Sequence, residues 1–411
     1  LWSVLFRGLG RWGQGWITGQ TRLFLAGLGP RRVCLVGPAG HLIRHQMGLR
    51  VVDCCSQGHR RVVNSQKPRV VVTGSTGAVG RQVCTRLAGE GFSVVGLDRR
   101  SGVSTHAEVS LLTVDLAVAD LRSLLMGADV LVHLASGVRA QDVHGDPGHD
   151  MLTVAERLLA AAADAGVAHV VVRSSAMVYG AWADNPVPLT EEAEVQPCRG
   201  FRFAEHRASL EGLATAWATQ APGRSASLLR PAVTVAEERP GGLARILASA
   251  AAIRAQEGDP LGQFVHADDL ASAVVCVVEQ RFDGPINVAP DGWISAPMMA
   301  ELGGPAPRLR LPAPMASWVA EVRWQLGLTD APPSVVPYTV FPWVVANDRL
   351  RALGWVPSHS NEEAYVVGYE PRATDRLDAK HRQQLSLAVT GGAVLLGLVL
   401  LGRLLGRWRK S

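Results

Sequence analysis

The sequence predicts an α/β fold, a doubly wound parallel sheet with a smaller, interleaved C-terminal region and a C-terminal transmembrane helix. Three observations predict it. From Arg69 onward, short β-branched runs alternate with longer amphipathic stretches, the pattern of strand–helix–strand crossovers. The first of these strands runs directly into a loop of spaced glycines and then a helix. Near the end, Leu385 to Gly402 is a run of eighteen residues without a charge.

The first unit reads Arg69-Val-Val-Val-Thr-Gly-Ser-Thr-Gly-Ala-Val-Gly80. Val70 to Val72 is a strand buried on both faces, and Arg81 to Ala88 has helical periodicity. Between them lie Gly74, Ser75, Thr76, Gly77, Ala78, Val79 and Gly80. Such a loop serves a dinucleotide. Gly74 allows a tight turn, Gly77 allows backbone to approach a pyrophosphate, and Gly80 allows the helix to pack closely on the strand. The helix N-terminus then offers free N–H groups and the positive end of its dipole. The next apolar run, Phe92 to Leu97, ends in Asp98, at the distance where an acid holds a ribose 2′-hydroxyl. Asp98 favours NAD, because a carboxylate repels a 2′-phosphate. Arg99 and Arg100 leave NADP open, because guanidinium forks suit phosphate.

The spacing Thr73-Gly-x-x-Gly-x-x-Gly80 resembles the extended short-chain dehydrogenase/reductase superfamily, in its NAD-dependent epimerase/dehydratase branch. The resemblance runs from about Arg69 to Tyr369 and implies a Rossmann-like sheet. By it, Asp115, with Leu116 beside it, lies at the adenine, and Leu134, Ala135 and Ser136 form a loop beside the cofactor. His133, inside a buried strand, reads as a hydrogen-bonded core histidine. Thr153 to Gly166 is Ala-rich and amphipathic, a crossover helix ending near a glycine stop. Arg173-Ser-Ser-Ala-Met-Val-Tyr-Gly180 resembles the family's Ser-Ser-x-x-Val-Tyr-Gly segment, which makes Ser175 the hydroxyl that bonds a substrate oxygen. Tyr179 is not the proton carrier in that pattern.

The family's carrier is a Tyr-x-x-x-Lys on the next helix. Aligning Glu211 with the family's helix glutamate puts Phe203 at the Tyr position and Arg207 at the Lys position. Arg207 can still donate to a ribose, but Phe203 exchanges no proton. Hydride transfer to a carbonyl leaves an alkoxide, and a positioned acid is worth roughly 10²–10⁴-fold there. Successive helix residues point about 100° apart, so Glu205 and His206 do not naturally face the same cleft as Phe203 and read as surface polar residues rather than replacement bases.

Later segments keep the resemblance: Arg230-Pro231, then Phe264-Val-His-Ala-Asp-Asp-Leu-Ala271, Gly284-Pro-Ile-Asn-Val288 and Leu353-Gly-Trp-Val-Pro357. Asp268 or Asp269 is the expected cap of a helix reaching about Glu279. A metal site from His266, Asp268 and Asp269 is disfavoured, since no further ligands cluster nearby. The substrate region is expected mainly at 231–262 and 290–370. Within it, Trp318 and Trp324 line a pocket for an apolar or steroid-like ligand or are core aromatics. Nucleotide sugars are the commonest substrates of this branch, and the residues themselves select none.

Charge is uneven. Residues 1–68 hold ten Lys/Arg and one acid, Asp53, a balance of +9 within a chain of +5, so residues 69–411 carry −4. The basic whole-chain balance is therefore no argument for nucleic-acid binding. The stretch 1–68 reads as a basic extension of low order, disordered or poorly helical. An upstream extension, with the true start nearer Met47 or Val62, is favoured over a targeting or membrane-surface segment. Six scattered cysteines without a C-x-x-C pair indicate reduced thiols.

After a polar linker (371–384), the span at 385–406 begins. Its eighteen uncharged residues cover about 27 Å as helix, near the hydrocarbon thickness of roughly 30 Å. The expected placement is a membrane anchor with the nicotinamide domain facing the cytoplasm. The family also implies a homodimer, through the helices after Asp150 and around Phe203. Two classes of function remain. One is an NAD(P)-dependent oxidoreductase, epimerase or dehydratase acting on a small molecule through Ser175 and Arg207. The other is a pseudoenzyme that senses cofactor or acts as a scaffold at the membrane.

Overall fold

Three consecutive valines of Arg69–Thr73 (β1) are completely buried, and their side chains alternate between two separate hydrophobic layers. The computed structural model describes residues 24–27, 33–36 and 68–368, apart from 105, 136–146, 238–241, 251–252, 256–260, 304–308 and 330. The chain divides into two compact units, 1–64 and 65–411.

In the first unit, Phe24–Gly27 and Val33–Val36 pair as antiparallel strands. The rest of the stretch expected to be of low order, apart from Pro68, lies outside the described residues.

The second unit follows β1 with α1 (Ala78–Gly89), β2 (Ser93–Asp98), β3 (Val109–Thr113), α2 (Leu121–Leu125) and β4 (Val130–His133). Then come α3 (Pro147–Asp164), β5 (His169–Arg173), α4 (Arg202–Thr219), β6 (Ser225–Pro231), α5 (Gly242–Ala250), α6 (Ala267–Gln280) and β7 (Gly284–Val288). The seven strands form one parallel sheet in the order β7-β6-β5-β4-β1-β2-β3. The chain winds outward from β1 in one direction, then restarts at β4 and winds in the other. The crevice between the ends of β1 and β4 is the switch point at which open α/β sheets bind ligands.

Both faces are covered. Val70 and Val72 pack with Val83 and Leu87 of α1 and Val274 and Val277 of α6. Val71 packs with Leu158 and Ala162 of α3 and Leu210 and Ala214 of α4. Each fully buried aliphatic side chain contributes roughly 1.5–3 kcal/mol, which is why a short strand can anchor two layers. Helix α3 starts at Pro147, six residues before the expected start at Thr153, because Pro suits a first helical turn.

The interleaved region is built on two small parallel pairs, Val233–Val235 with Phe264–His266 and Ile253–Ala255 with Leu309–Leu311. It also contains α7 (Ala296–Leu302), α8 (Ala313–Gln325), α9 (Asp348–Ala352) and α10 (Asn361–Val367). Trp318 of α8 is 65% exposed and is therefore not a core aromatic. The linker at 371–384 and the span at 385–406 lie outside the described residues. Among the described residues no helix is long and apolar enough to cross a membrane.

A buried polar network ties these parts together. Glu211 of α4 and Arg230 of β6 meet at 2.6 Å with side chains 6% and 5% exposed. Ser174 donates to the same carboxylate. Arg230 also donates to the Tyr179 hydroxyl at 2.8 Å, which donates to Asn287 Oδ1 of β7 at 2.8 Å. Burial opposes the Arg230 charge, but the bonds and charge of Glu211 and Tyr179 outweigh it and hold the guanidinium above its usual range. Replacing Glu211 by Gln leaves Arg230 buried without a counter-charge and is expected to cost about 3–5 kcal/mol in urea unfolding. The double change Glu211→Leu with Arg230→Met is expected to cost less than Glu211→Gln. A loss under about 1 kcal/mol for Glu211→Gln contradicts the role given to this pair.

Candidate cofactor cleft and active site

The glycine loop is shaped by backbone sterics. Gly74 has φ +74°, and its N–H donates to the Leu97 carbonyl at 2.8 Å. A side chain there would place its first carbon 2.8 Å from the amide nitrogen of Ala135. At Gly80 that carbon would lie 2.1 Å from the Gly74 carbonyl oxygen, an impossible contact, so α1 can enter only as glycine at this point. Gly77 is different. A carbon there would meet only the Gly74 oxygen at 3.3 Å, so nothing else in the protein demands a glycine at this position. Gly77 caps α1 without a side chain. The amides of Ala78, Val79 and Gly80 have no carbonyl one helical turn before them to bond.

Beside this mouth, Ser75 Oγ is buried and has no hydrogen-bond partner among the described residues. Asp98, at the end of β2, accepts the Thr76 N–H at 3.1 Å and the Arg100 N–H at 3.0 Å, with Arg100 Nε 3.5 Å away. Burial works to raise the Asp98 pKa, but the Arg100 amide, the Thr76 hydroxyl and amide and the Arg100 charge hold it below the usual range. The carboxylate therefore remains ionised beside the loop. Arg99 is exposed. A dinucleotide fits these residues: a helix start at α1 without a side-chain cap, a buried hydroxyl without a partner in the loop and an ionised acid at the end of β2.

Asp115 is exposed just past β3 and accepts the Ala117 N–H at 3.0 Å, while Leu116 is buried. Arg157 of α3 braces this turn by donating to the carbonyls of Leu116 at 3.2 Å and Ala119 at 3.3 Å. Leu134 and Ala135 hang from Thr73, whose carbonyl accepts Leu134 N–H at 3.2 Å and whose hydroxyl accepts Ala135 N–H at 3.3 Å. His133 Nδ1 sits 2.8 Å from the same hydroxyl, a buried, hydrogen-bonded core histidine. Ser136 lies outside the described residues.

Past β5, Ser175 is buried and its hydroxyl accepts the Met177 N–H at 3.2 Å, capping the short 3₁₀ turn Ala176–Tyr179. Arg207 is 4% exposed, donates from Nη1 to the Arg173 carbonyl at 2.8 Å, and lies over the Phe203 ring at 5.1 Å. Burial, then the charge of Arg173, push Arg207 down to about 9, and burial pushes Arg173 down to about 10. Both remain cations at neutral pH.

The phenols among the described residues are all engaged elsewhere. The chain has four tyrosines. Tyr179 is engaged with Arg230 and Asn287, and burial, partly offset by Arg230, pushes it up to about 12. Tyr338 donates to the Met177 carbonyl at 2.8 Å and Tyr365 to the Met299 carbonyl at 3.0 Å. Tyr369 lies outside the described residues. Glu205 accepts the Gly200 N–H at 2.8 Å and is bound to the start of α4.

The helix cap near His266 differs from the expectation. His266 itself caps α6, its Nδ1 accepting the Asp268 N–H at 3.3 Å. Asp268 instead pairs with Arg86 of α1 at 2.6 Å. Buried Asp269 accepts the N–H groups of Ser358 at 2.8 Å and His359 at 3.0 Å. Long-range partners took both carboxylates, and local spacing could not reveal them. Sequence reasoning also passed over Arg173. Its signal was there, as a single charge ending the otherwise apolar run His169-Val-Val-Val-Arg173.

A sequence model of the NAD dependent epimerase/dehydratase family matches residues 70–289. The chain belongs to the NAD-dependent epimerase/dehydratase family. Among its relatives, a 3-diazoavenalumate denitrifying reductase from a Streptomyces species is 28% identical over 71% of this chain and 96% of its own. GDP-L-fucose synthase 1 of Arabidopsis thaliana is 20% identical, over 75% of this chain and 94% of its own. The solved structure of UDP-glucose 4-epimerase from Thermus thermophilus, a complex with NAD, matches with a TM-score of 0.55 at 21% identity, covering 73% of this chain and 97% of that one. That likeness is one of fold.

Two buried histidines of this family member make its stability depend on pH. Burial, then Arg207, lowers His133 from 6.5 to about 4. Burial, then Arg281, lowers His169 from 6.5 to about 4 against smaller opposing effects of Ser225 and Asp283. Between these values the unfolded chain binds protons that the folded chain does not, so stability is full above about 6.5 and falls as pH drops toward 4. The expected loss is on the order of 2–3 kcal/mol per histidine. Urea unfolding of wild type and of His133→Asn with His169→Asn, across this window, is expected to show a shallower slope in the variant. Equal slopes contradict it.

Proposed function

We propose that this chain binds NAD(H) across the C-terminal ends of β1, β2 and β4 and exchanges hydride with a small molecule held beside Ser175. The observation that carries this reading is the start of α1 at Gly77, a helix N-terminus capped by no side chain whose first amides have no carbonyl one turn before them. On this reading those amides and Ser75 hold the diphosphate, and Asp98 holds a ribose and favours NAD over NADP. Asp115 and Leu116 border the adenine, and Leu134, Ala135 and Ser136 line the nicotinamide side. NAD, when bound, supplies a hydride acceptor, and NADH a donor.

The chain's own part in the chemistry is binding, orientation and charge. Ser175 bonds a substrate oxygen, and Arg207 offers fixed positive N–H donors where the family pattern has lysine. Phe203 provides no proton. The reading therefore favours a substrate whose negative charge after hydride transfer is stabilised by Ser175 and Arg207 and is then protonated by water. Relatives whose names carry UDP- and GDP-sugars support a nucleotide-sugar substrate class.

Calorimetric titration of the protein with NADH and NADPH tests the cofactor reading. NADH is expected to bind at least tenfold tighter, and Gly77→Ala to weaken it at least tenfold while shifting stability by under about 1 kcal/mol. Binding of neither cofactor to folded protein overturns the reading. On UDP-glucose or UDP-glucuronate with NAD, Phe203→Tyr with Arg207→Lys is expected to raise turnover by roughly 10²-fold or more. No gain with either sugar favours a cofactor-binding scaffold.

The uncharged run Leu385 to Gly402 supports anchoring of this domain to a membrane, on the cytoplasmic side. Fractionation of expressing cells is expected to find the full chain with membranes and a chain ending at 384 in the soluble fraction. Full-length protein in the soluble fraction overturns it.

A further inference from the structure

His266 and His359 stack on each other where the strand Phe264–His266 passes into α6, with ring centroids 4.0 Å apart and planes inclined by 35°. Both Nδ1 atoms face the first turn of α6. His266 Nδ1 accepts the Asp268 N–H at 3.3 Å, and His359 Nδ1 lies 3.0 Å from Asp269 Oδ2. A carboxylate of this kind accepts, so His359 is the donor. Asp269 is 1% exposed and also accepts the Ser358 N–H at 2.8 Å, the His359 N–H at 3.0 Å and the Ser358 hydroxyl. One carboxylate on α6 thus fastens the approach to α10. The helix itself is fastened to the strand that ends in His266. Asn361 accepts the Phe264 N–H at 3.0 Å, and the Tyr365 and Phe264 rings meet at 4.9 Å.

This fastening depends on one lone pair. A neutral imidazole carries a proton on one nitrogen, and because His266 Nδ1 accepts, the proton sits on Nε2. His266 is 8% exposed, and its Nε2 has no hydrogen-bond partner among the described residues. A second proton can enter only at Nδ1. There it takes the lone pair that caps α6 and opposes the Asp268 N–H, and it puts a positive ring against His359. The charged and titratable groups acting on His266 are His359, Asp269, Asp268 and Glu237, the last just past the paired strand Val233–Val235. Asp268 is bound to Arg86 of α1 at 2.6 Å, and Glu363 of α10 is turned back to the Ser360 N–H at 2.8 Å. Burial, then His359, lowers the His266 pKa from 6.5, against smaller opposing effects of the three acids. The closed form therefore binds fewer protons than the open one. Its stability is full above about 6.5 and falls as pH drops below that value.

We propose that His266 and His359, stacked over Asp269, form an acid-sensitive latch that holds residues 358–367 against α6 and releases them when His266 takes a proton. Opening frees α10 from the strand Phe264–His266, and with it an edge of the interleaved region.

The test is hydrogen exchange read by mass spectrometry on the full chain, kept in one neutral detergent from about pH 7.5 to about pH 5.5 and corrected for the intrinsic pH dependence of exchange. Peptides covering 358–367 report the latch, and peptides of α1 report global unfolding. Exchange at 358–367 is expected to rise roughly fivefold or more across this range, beyond any change in α1. His266→Asn keeps a side-chain acceptor at the cap and takes no proton, so it is expected to retain the protection seen at the higher pH and to lose the response. His359→Asn keeps a donor toward Asp269 without the ring and is expected to shrink the response. His133→Asn with His169→Asn is expected to leave it in place, which separates the latch from the global titration of those two histidines. A wild-type response no larger than that of α1 overturns the proposal, as does a full response in His266→Asn. So does a response that vanishes with His133 and His169. Should His266→Asn not fold, His359→Asn decides, and an undiminished response there sinks the latch.

Discussion

Glu211 and Arg230 are the two charges on which the geometry of the cleft depends. They meet in the interior with almost no solvent, and every polar atom around them is occupied by another element of the fold. An isolated charge in that position is costly, so the pair tolerates little displacement of α4 against β6. Ser174 attaches the end of β5 to the same carboxylate, and Tyr179 carries the connection to Asn287 in β7. Phe203, Arg207 and Glu211 lie on successive turns of α4. Fixing Glu211 therefore fixes how far Arg207 reaches over the end of β5. The cleft is positioned by an ion pair that does not face it.

The two halves of the cleft are built by different physics. On the β1 side, the determinants are distances of approach between backbone atoms: Gly74 against Ala135, and Gly80 against Gly74. Side chains there are small, and the binding groups are amides that a helix start leaves unbonded. On the β5 side, the determinants are charges and aromatic faces. Arg173, Arg207, Phe203 and Ser175 meet where one strand ends and the next helix passes. A diphosphate suits the first half because it binds dipoles and N–H groups. The second half holds the buried Arg207 guanidinium beside the Phe203 ring.

The start of α4 is held by aromatic packing. Phe203 still packs against Phe201 at 5.8 Å, and Phe201 against Tyr338 at 5.5 Å, so the aromatic contacts at the start of α4 survive without a hydroxyl. The planar Arg207 guanidinium lies over the Phe203 ring, a stacking that a lysine ammonium would not make as well. The changes at 203 and 207 support each other physically.

The parallel sheet, the order in which its strands occur along the chain and the glycine loop could all be read from residue pattern, because each is set by local forces. Period-two burial, helix periodicity and the steric needs of Gly74 and Gly80 act within a few residues. Tertiary structure alone decided which charges met. Asp268 and Asp269 looked like caps, yet their partners, Arg86 and the 358–359 backbone, come from distant parts of the chain, and His266 took the cap. Trp318, ambiguous by composition, faces solvent. Arg173 and Arg207 are 34 residues apart, and the bond from the Arg207 guanidinium to the Arg173 carbonyl formed only when β5 and α4 packed. Sequence by itself determined the backbone's shape, since that shape follows from short-range sterics and periodic burial. The electrostatics of the cleft depend on long-range neighbours in a low-dielectric interior, and those were decided by the folded structure.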